Sequence, residues 1–366
     1  MPRLNILIVV PRLNIGGAES HVLTTAIGLA RKGYQVCVAS WGGQLVDKLV
    51  SVGIKHYLVP IRLSSYLASW VLEYIIKKNN IELVHANSAA AGFAALKVCR
   101  RMKLPLVYTA HGVFDHNEKE RELINADKII CVSDFLRRRC LAMGISEDKL
   151  ITIYNGIDLN QFEQGTEQVA IRARQQLGIQ KTAFVIGIVS RIKNPQAKGH
   201  GDILRMLYKY RNQQAKNWKL VIIGKGRGLS ELRKEVNQLG LHGQVCFAGH
   251  STEVHQTMQA IDVLLLPSQF ETFGLVLVEA MAMAKPAIAY AVGGTPEAIE
   301  DGCTGFLIPK GDIDTMYEKI NFLYKNRDLM DRMGYNGMRR VKNMFDSEIM
   351  LKRILEVYDG VWTKTM

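Results

Sequence analysis

The sequence is poor in features that mark whole classes of protein. None of its 366 residues fall in an apolar stretch near the ~18 needed for a membrane span, so no transmembrane helix is expected. The opening run Leu4–Val10 stops at Pro11 and Arg12 and lacks a small-residue cleavage site. It reads as a first β-strand, not a secretory signal. The six cysteines are scattered, with no C-x-x-C pair. Free thiols in a reducing cytoplasm are the expected reading. No zinc-finger spacing, RNP-like aromatic run or homeodomain signature occurs, which disfavours nucleic acid. Heptads, solenoid periods and low-complexity tracts are missing too. His250 and His255 lie five apart without further ligands, so no metal is expected. No G-x-G-x-x-G follows the first strand, which disfavours a nicotinamide cofactor.

What is present is a globular composition, 48% hydrophobic and 22% charged. The length suits two α/β domains. A net charge of +13 favours an anionic partner: an acidic membrane face, a phosphorylated ligand, or nucleic acid, which the missing motifs make less attractive. Part of that charge is clustered, at Lys97, Arg100, Arg101 and Lys103 and again at Arg137, Arg138 and Arg139. Solvated helix faces are the alternative explanation.

Strand and helix patterns alternate. Strands are predicted at Leu4–Val10, Gln35–Ser40, Glu82–Ala86, Leu106–Ala110, Lys128–Val132 and Leu150–Tyr154. Helical spacing marks Ala18–Lys32, with Gly33 as its C-cap, and Ser65–Lys78. A polar, Gln-rich stretch from Asn160 to Gln180 is the predicted linker, with a short helix at Val169–Leu177. The alternation then restarts at the strand Ala183–Val189 and runs through Lys219–Ile223, Val245–Ala248, Val263–Leu266, Ala287–Ala291 and Phe306–Pro309. Helices close the chain to about Thr363. Such alternation demands parallel sheets covered on both faces. Two series in tandem predict two Rossmann-like domains with ligand at the strands' carboxyl ends.

The densest chemistry lies in E-T-F-G-L-V-L-V-E, framed by Glu271 and Glu279. It joins the strand Val263–Leu266 to a helix beginning near Gly274. A helix N-terminus offers unpaired N–H groups to a phosphate or sugar hydroxyl. The two carboxylates can accept hydrogen bonds from vicinal hydroxyls. Gly16 and Gly17 sit between the first strand and helix, where backbone N–H groups can approach an anion; a plain βα turn is the alternative. His111 ends the strand Leu106–Ala110, where its imidazole can meet a sugar hydroxyl or serve structure. Arg191 follows one strand, and Lys198-Gly199 precede a helix. Together they can clamp a diphosphate, with ordinary surface basicity as the alternative. Gly224-Lys225-Gly226 forms a second glycine turn.

In this order the motifs resemble the family 4 glycosyltransferases, retaining enzymes of the GT-B fold. The resemblance rests on G-G-A-E at 16–19, T-A-H-G at 109–112, Y-N-G-I-D at 154–158, S-R at 190–191, K-G at 198–199, G-K-G at 224–226, P-S-Q-F-E-T-F-G-L-V-L-V-E-A-M-A at 267–282 and G-G-T-P-E at 293–297. It implies an α/β GT-B architecture: two Rossmann-like domains facing across a cleft, with a C-terminal helix crossing back to the first. Residues 1–164 plus the crossing helix 347–366 would be the acceptor domain, and 165–346 the nucleotide-sugar donor domain. Arg191 and Lys198 would bind the donor diphosphate and Glu279 the ribose hydroxyls. Glu271, with the backbone from Thr272 and Phe273 to Gly274 and Leu275, would hold the donor sugar, and His111 would contact it near the reacting carbon. Gly16 and Gly17 would line the diphosphate or acceptor side of the cleft, and Gly224 and Gly226 would be substrate-binding residues of the donor domain. The run from Arg191 to Lys198 is longer than the family pattern, which leaves Lys193 as a rival clamp; the glycine after Lys198 favours Lys198.

The implied reaction moves a hexose or N-acetylhexosamine from a nucleotide diphosphate, UDP favoured, to a hydroxyl of a glycan or lipid-linked acceptor. It would retain anomeric configuration and need no cofactor or metal. Bacterial polysaccharide or lipopolysaccharide assembly is the expected setting, in the cytoplasm or at the inner face of the membrane. The base would be read near Gly224–Gly226 and His250–Thr252. The helix Ser65–Lys78 and the first domain's basic clusters could touch an anionic membrane. A GDP-mannose-type donor, a nucleotide-sugar epimerase and an inactive sugar-nucleotide-binding subunit remain as alternatives.

Overall fold

A computed structural model describes residues 4–112, 122–162, 164–249 and 254–363. The chain divides into two compact units, Met1–Asp158 with Phe345–Met366, and Leu159–Met344. The segment from 159 to 164, assigned from sequence to the first domain, therefore falls in the second unit. There the neighbouring Gly165 N–H donates to Gln259 Oε1 at 3.1 Å.

The first unit is built on seven strands: β1 (Asn5–Val9), β2 (Gln35–Ser40), β3 (Lys55–Leu58), β4 (Leu83–Asn87), β5 (Leu106–Ala110), β6 (Lys128–Cys131) and β7 (Leu150–Thr152). They pair in parallel in the order β3-β2-β1-β4-β5-β6-β7. Strand β3 escapes sequence reading because K-H-Y-L is short, half-polar and on the sheet's edge, where burial imposes no apolar run. The inner strands are sealed on both faces; Ile6, Leu7, Ile8 and Val9 expose no surface. After β1 the helix Gly17–Arg31 packs back on the sheet through Val22, Ala26 and Leu29.

The C-terminal helix Ser347–Trp362 belongs to this unit. Gly28 makes its seat: a Cβ there would lie 2.2 Å from Leu351 Cδ1. The two strands of chain that join the units run side by side, with Ile157 N–H donating to Phe345 O and Ser347 N–H to Ile157 O, each at 2.9 Å. Buried His85, on β4, lies 2.6 Å from Tyr358 Oη through Nδ1 and 2.7 Å from Thr109 Oγ1 through Nε2. The helix is thus fastened to the centre of the sheet by a polar bond inside the core, where a missing partner costs about 1–3 kcal/mol.

In the second unit six strands, β8 (Phe184–Val189), β9 (Trp218–Ile223), β10 (Val245–Gly249), β11 (Val263–Leu266), β12 (Ala287–Tyr290) and β13 (Gly305–Ile308), form a parallel sheet in the order β10-β9-β8-β11-β12-β13. Both sheets reverse strand order beside their first strand, the arrangement that opens a crevice at the carboxyl ends. The second core gathers Ile186, Ile188, Leu220, Ile222 and Leu265 with the large rings of Phe184 and Trp218.

Burial pushes the His85 pKa down to about 3, so the folded ring stays neutral. The unfolded ring, near pKa 6.5, takes a proton first. Stability from this group is therefore full above about pH 6.5 and drains as pH falls towards 3. Between pH 7 and pH 5 the wild type should lose about 2 kcal/mol more unfolding free energy than His85→Gln. Urea titrations at the two pH values test this; equal losses would refute the assignment.

Candidate active site

Three loops of the second unit meet at the carboxyl ends of its strands. The first leaves β8 and carries Arg191 and Lys198. Its path is fixed by His200, buried and neutral with a pKa pushed down to about 4 by burial. The Pro195 carbonyl can only accept, so Nδ1–H donates to it at 3.1 Å and Nε2 accepts from Ser190 Oγ at 3.2 Å. One ring therefore ties both ends of the loop, a role hidden in sequence because a lone histidine has no signature.

The second loop follows β9. Here Gly224 and Gly226 answer to packing: a Cβ at Gly224 would stand 1.9 Å from Ser190 O, and one at Gly226 2.1 Å from Ile192 O. The glycines let the two loops pair along their backbones, with Ile192 N–H donating to Lys225 O and Gly228 N–H to Ile192 O. The close neighbour of these glycines is thus the loop that carries Arg191.

The third loop leaves β11 and carries Glu271. Gly199, at φ 74°, touches it; a Cβ would lie 1.9 Å from Pro267 O. From the other side Gly293, at φ 57°, presses on Glu271 O, where a Cβ would come within 1.8 Å. Gly294 N–H donates to the same Glu271 oxygen at 3.0 Å. This double embrace brings Lys198 Nζ to 2.5 Å from Glu271 Oε1. Lys193, the rival clamp, is exposed; Lys198 is the lysine brought to the glutamate.

Beyond Glu271 the helix Leu275–Ala282 starts at Gly274 in the left-handed region, φ 86°, without a capping side chain. Buried Phe273 and Leu275 anchor the turn, while Thr272 stays part-exposed. Glu279 lies in this helix, part-buried, and loss of water around its carboxyl pushes its pKa up to about 7. Arg191 is exposed on the first loop.

In the first unit Gly16 caps and Gly17 opens the helix Gly17–Arg31, again without a side-chain cap. His111 follows β5, and its Nε2–H donates to Asn87 Oδ1 at 2.9 Å. His21 meets it edge to face, ring centroids 4.8 Å apart. Burial first, then the neighbouring histidines, hold His111 well below its usual range, so its ring is neutral. Asn87 and His21 are partners that sequence reading did not find, since neither lies in a motif by itself. His250 and Thr252 lie outside the described residues. The His255 ring faces Phe162 at 6.1 Å. Among the described residues no three His, Cys, Asp or Glu side chains gather as a metal site.

Residues 15–161 match the family described as Glycosyltransferase Family 4, and residues 170–340 match Glycosyl transferases group 1. A D-inositol 3-phosphate glycosyltransferase of Mycobacterium marinum is 27% identical over 353 residues, covering 85% of this chain and 74% of that protein. An N-acetyl-alpha-D-glucosaminyl L-malate synthase of Bacillus anthracis is 26% identical, covering 95% of each. Among solved structures, Anabaena Alr3699/HepE in complex with UDP and glucose matches with a TM-score of 0.87 at 24% identity, over 97% of this chain and 99% of that one. At that identity the likeness is one of fold. The chain belongs to glycosyltransferase family 4 and is a glycosyltransferase of the GT-B type.

Proposed function

We propose that this glycosyltransferase moves a hexose or N-acetylhexosamine from a UDP-sugar to a hydroxyl of a glycan or lipid-linked acceptor, with retention at the anomeric carbon. The observation that carries the donor reading is the Lys198–Glu271 pair, whose glutamate sits on the loop that runs into an uncapped helix N-terminus. A cation, an acceptor of hydroxyl protons and a helix's amide tip are the groups needed to hold a sugar diphosphate. The solved relative bound to UDP and glucose supports a UDP-sugar. The named acceptors of the relatives, an inositol phosphate and a malate, differ, so the acceptor is argued only as far as a hydroxyl. All six cysteines are free, which suits work in a reducing cytoplasm.

In this reading a diphosphate takes Lys198 from Glu271. The released carboxylate accepts hydroxyl protons of the donor sugar, and Glu279 accepts those of the ribose. As the anomeric bond breaks, charge builds on the leaving phosphate, and Arg191, Lys198 and the amides at Gly274 and Leu275 stabilise it. Both glutamates serve binding, so a same-face displacement fits better than a covalent intermediate. The departing phosphate oxygen takes the acceptor's proton. The neutral ring of His111 suits a hydrogen bond with a sugar hydroxyl. Fixed cations do the work a divalent ion would do, and the reaction is proposed to be metal-independent.

Two outcomes follow. Arg191→Ala and Lys198→Ala should each lower kcat by ~10²-fold or more with the fold intact, as for loss of a preorganised charge contact. EDTA should leave the wild-type rate unchanged in the same assay. Wild-type turnover in either variant would overturn the clamp, and a rate that EDTA abolishes and Mg²⁺ restores would overturn metal independence. Separately, hydroxyls that donate to Glu279 select its carboxylate. Because burial brings its unliganded pKa up to about 7, the Kd for a UDP-sugar, whose diphosphate has no group titrating in this range, should rise about tenfold per pH unit below that value. Calorimetry from pH 5.5 to 8 should show this slope in the wild type and not in Glu279→Gln. The same slope in both would remove Glu279 from the ribose site.

A further inference from the structure

The helix Ser65–Lys78 has two apolar faces, and only one is used. Ala68, Leu72, Ile75 and Ile76 are buried in the first unit. On the other side Tyr66, Leu67, Trp70 and Tyr74 stand 70%, 59%, 70% and 61% exposed, with Leu63 just before the helix at 72%. Their spacing of three and four residues aligns them as one stripe. Isolated exposed apolar residues are ordinary, but a continuous stripe of large ones signals an interaction surface.

The surroundings of the stripe identify its partner. Segments 62–78 and 89–103 together hold seven lysines and arginines and a single carboxylate, Glu73. Glu73 is already paired, at 2.8 Å to both Lys77 and Arg101. Arg62, Lys77 and Lys78 flank the stripe and are exposed. Lys97 Nζ lies 4.2 Å from the centre of the Tyr66 ring, so that its charge sits at the stripe's border. Trp and Tyr rings with one polar edge, bordered by long cationic side chains, suit the headgroup level of a bilayer.

We infer that this face docks on an anionic lipid bilayer: the aromatic stripe enters the headgroup region, and the flanking lysines and arginines meet lipid phosphates. Its length excludes spanning. Fourteen residues of helix reach about 21 Å, short of the ~30 Å hydrocarbon core. The buried opposite face also keeps the helix lying flat against its own unit. The inference is independent of the donor reading, since none of these residues belongs to the proposed clamp. It would place a lipid-linked acceptor within the enzyme's reach.

Sedimentation of the full chain with sucrose-loaded vesicles tests it, using phosphatidylcholine alone and phosphatidylcholine with 30 mol% phosphatidylglycerol at low and high salt. Binding should appear with the anionic vesicles at low salt and weaken at high salt. Lys77→Gln with Lys78→Gln should weaken partitioning about thirtyfold, at roughly fivefold per cation. Trp70→Ser with Tyr74→Ser should abolish it, while the far-UV circular dichroism spectrum and the cooperative thermal unfolding stay as in wild type and certify the fold. Failure to sediment with anionic vesicles would overturn the inference. So would a concentration-dependent dimer, lost in Trp70→Ser with Tyr74→Ser, since a second copy would then cover the stripe.

Discussion

The ion pair between Lys198 and Glu271 is the contact on which the proposed chemistry rests. Its value does not lie in stability. The lysine side chain is 34% exposed, and a pair so open to water is worth about a kilocalorie per mole or less. Its value lies in placement. Gly199 against Pro267 O and Gly293 against Glu271 O are backbone contacts that any side chain would break. They hold a cation and a carboxylate together before any ligand arrives. A charged group preset in this way costs little to reorganise when negative charge develops nearby.

The same economy appears elsewhere in the molecule. His200 and His85 are neutral because burial forbids their charge, and each spends both ring nitrogens on fixing a segment. His200 ties the loop that bears Arg191 and Lys198; His85 ties the returning C-terminal helix. Both histidines work through geometry, and neither belongs among the groups proposed to touch substrate. Glu279 is the contrast. It too is desolvated, and burial brings its pKa up to about 7, so its carboxyl rests near its titration point instead of being locked in one state.

Much of the fold was legible in sequence because buried parallel strands leave unbroken apolar runs. Gln35–Ser40, Leu106–Ala110 and Val263–Leu266 were read to the residue. Edge strand β3 was lost because its environment asks nothing definite of its side chains. The motif glycines were visible, but their reason was not. Gly224 and Gly226 were read as a glycine turn after a strand, and the structure adds that they admit a neighbouring loop. Which lysine meets Glu271 depended on a contact across 73 residues, beyond any periodicity. The supporting partners Asn87, His21 and His200 were invisible for the same reason. The aromatic stripe was not legible: helical spacing marked Ser65–Lys78 as a helix, but only the structure shows Ile75 buried and Trp70 and Tyr74 turned to solvent.

A crystal structure of the chain with an intact UDP-sugar, or its non-transferable analogue, tests the central claim most directly. The account predicts a diphosphate oxygen within hydrogen-bond distance of Lys198 Nζ, Arg191 close by, the amides at Gly274 and Leu275 turned to the ligand, and Lys198 separated from Glu271. A diphosphate bound away from Lys198, with the Lys198–Glu271 pair still closed at 2.5 Å, would contradict it.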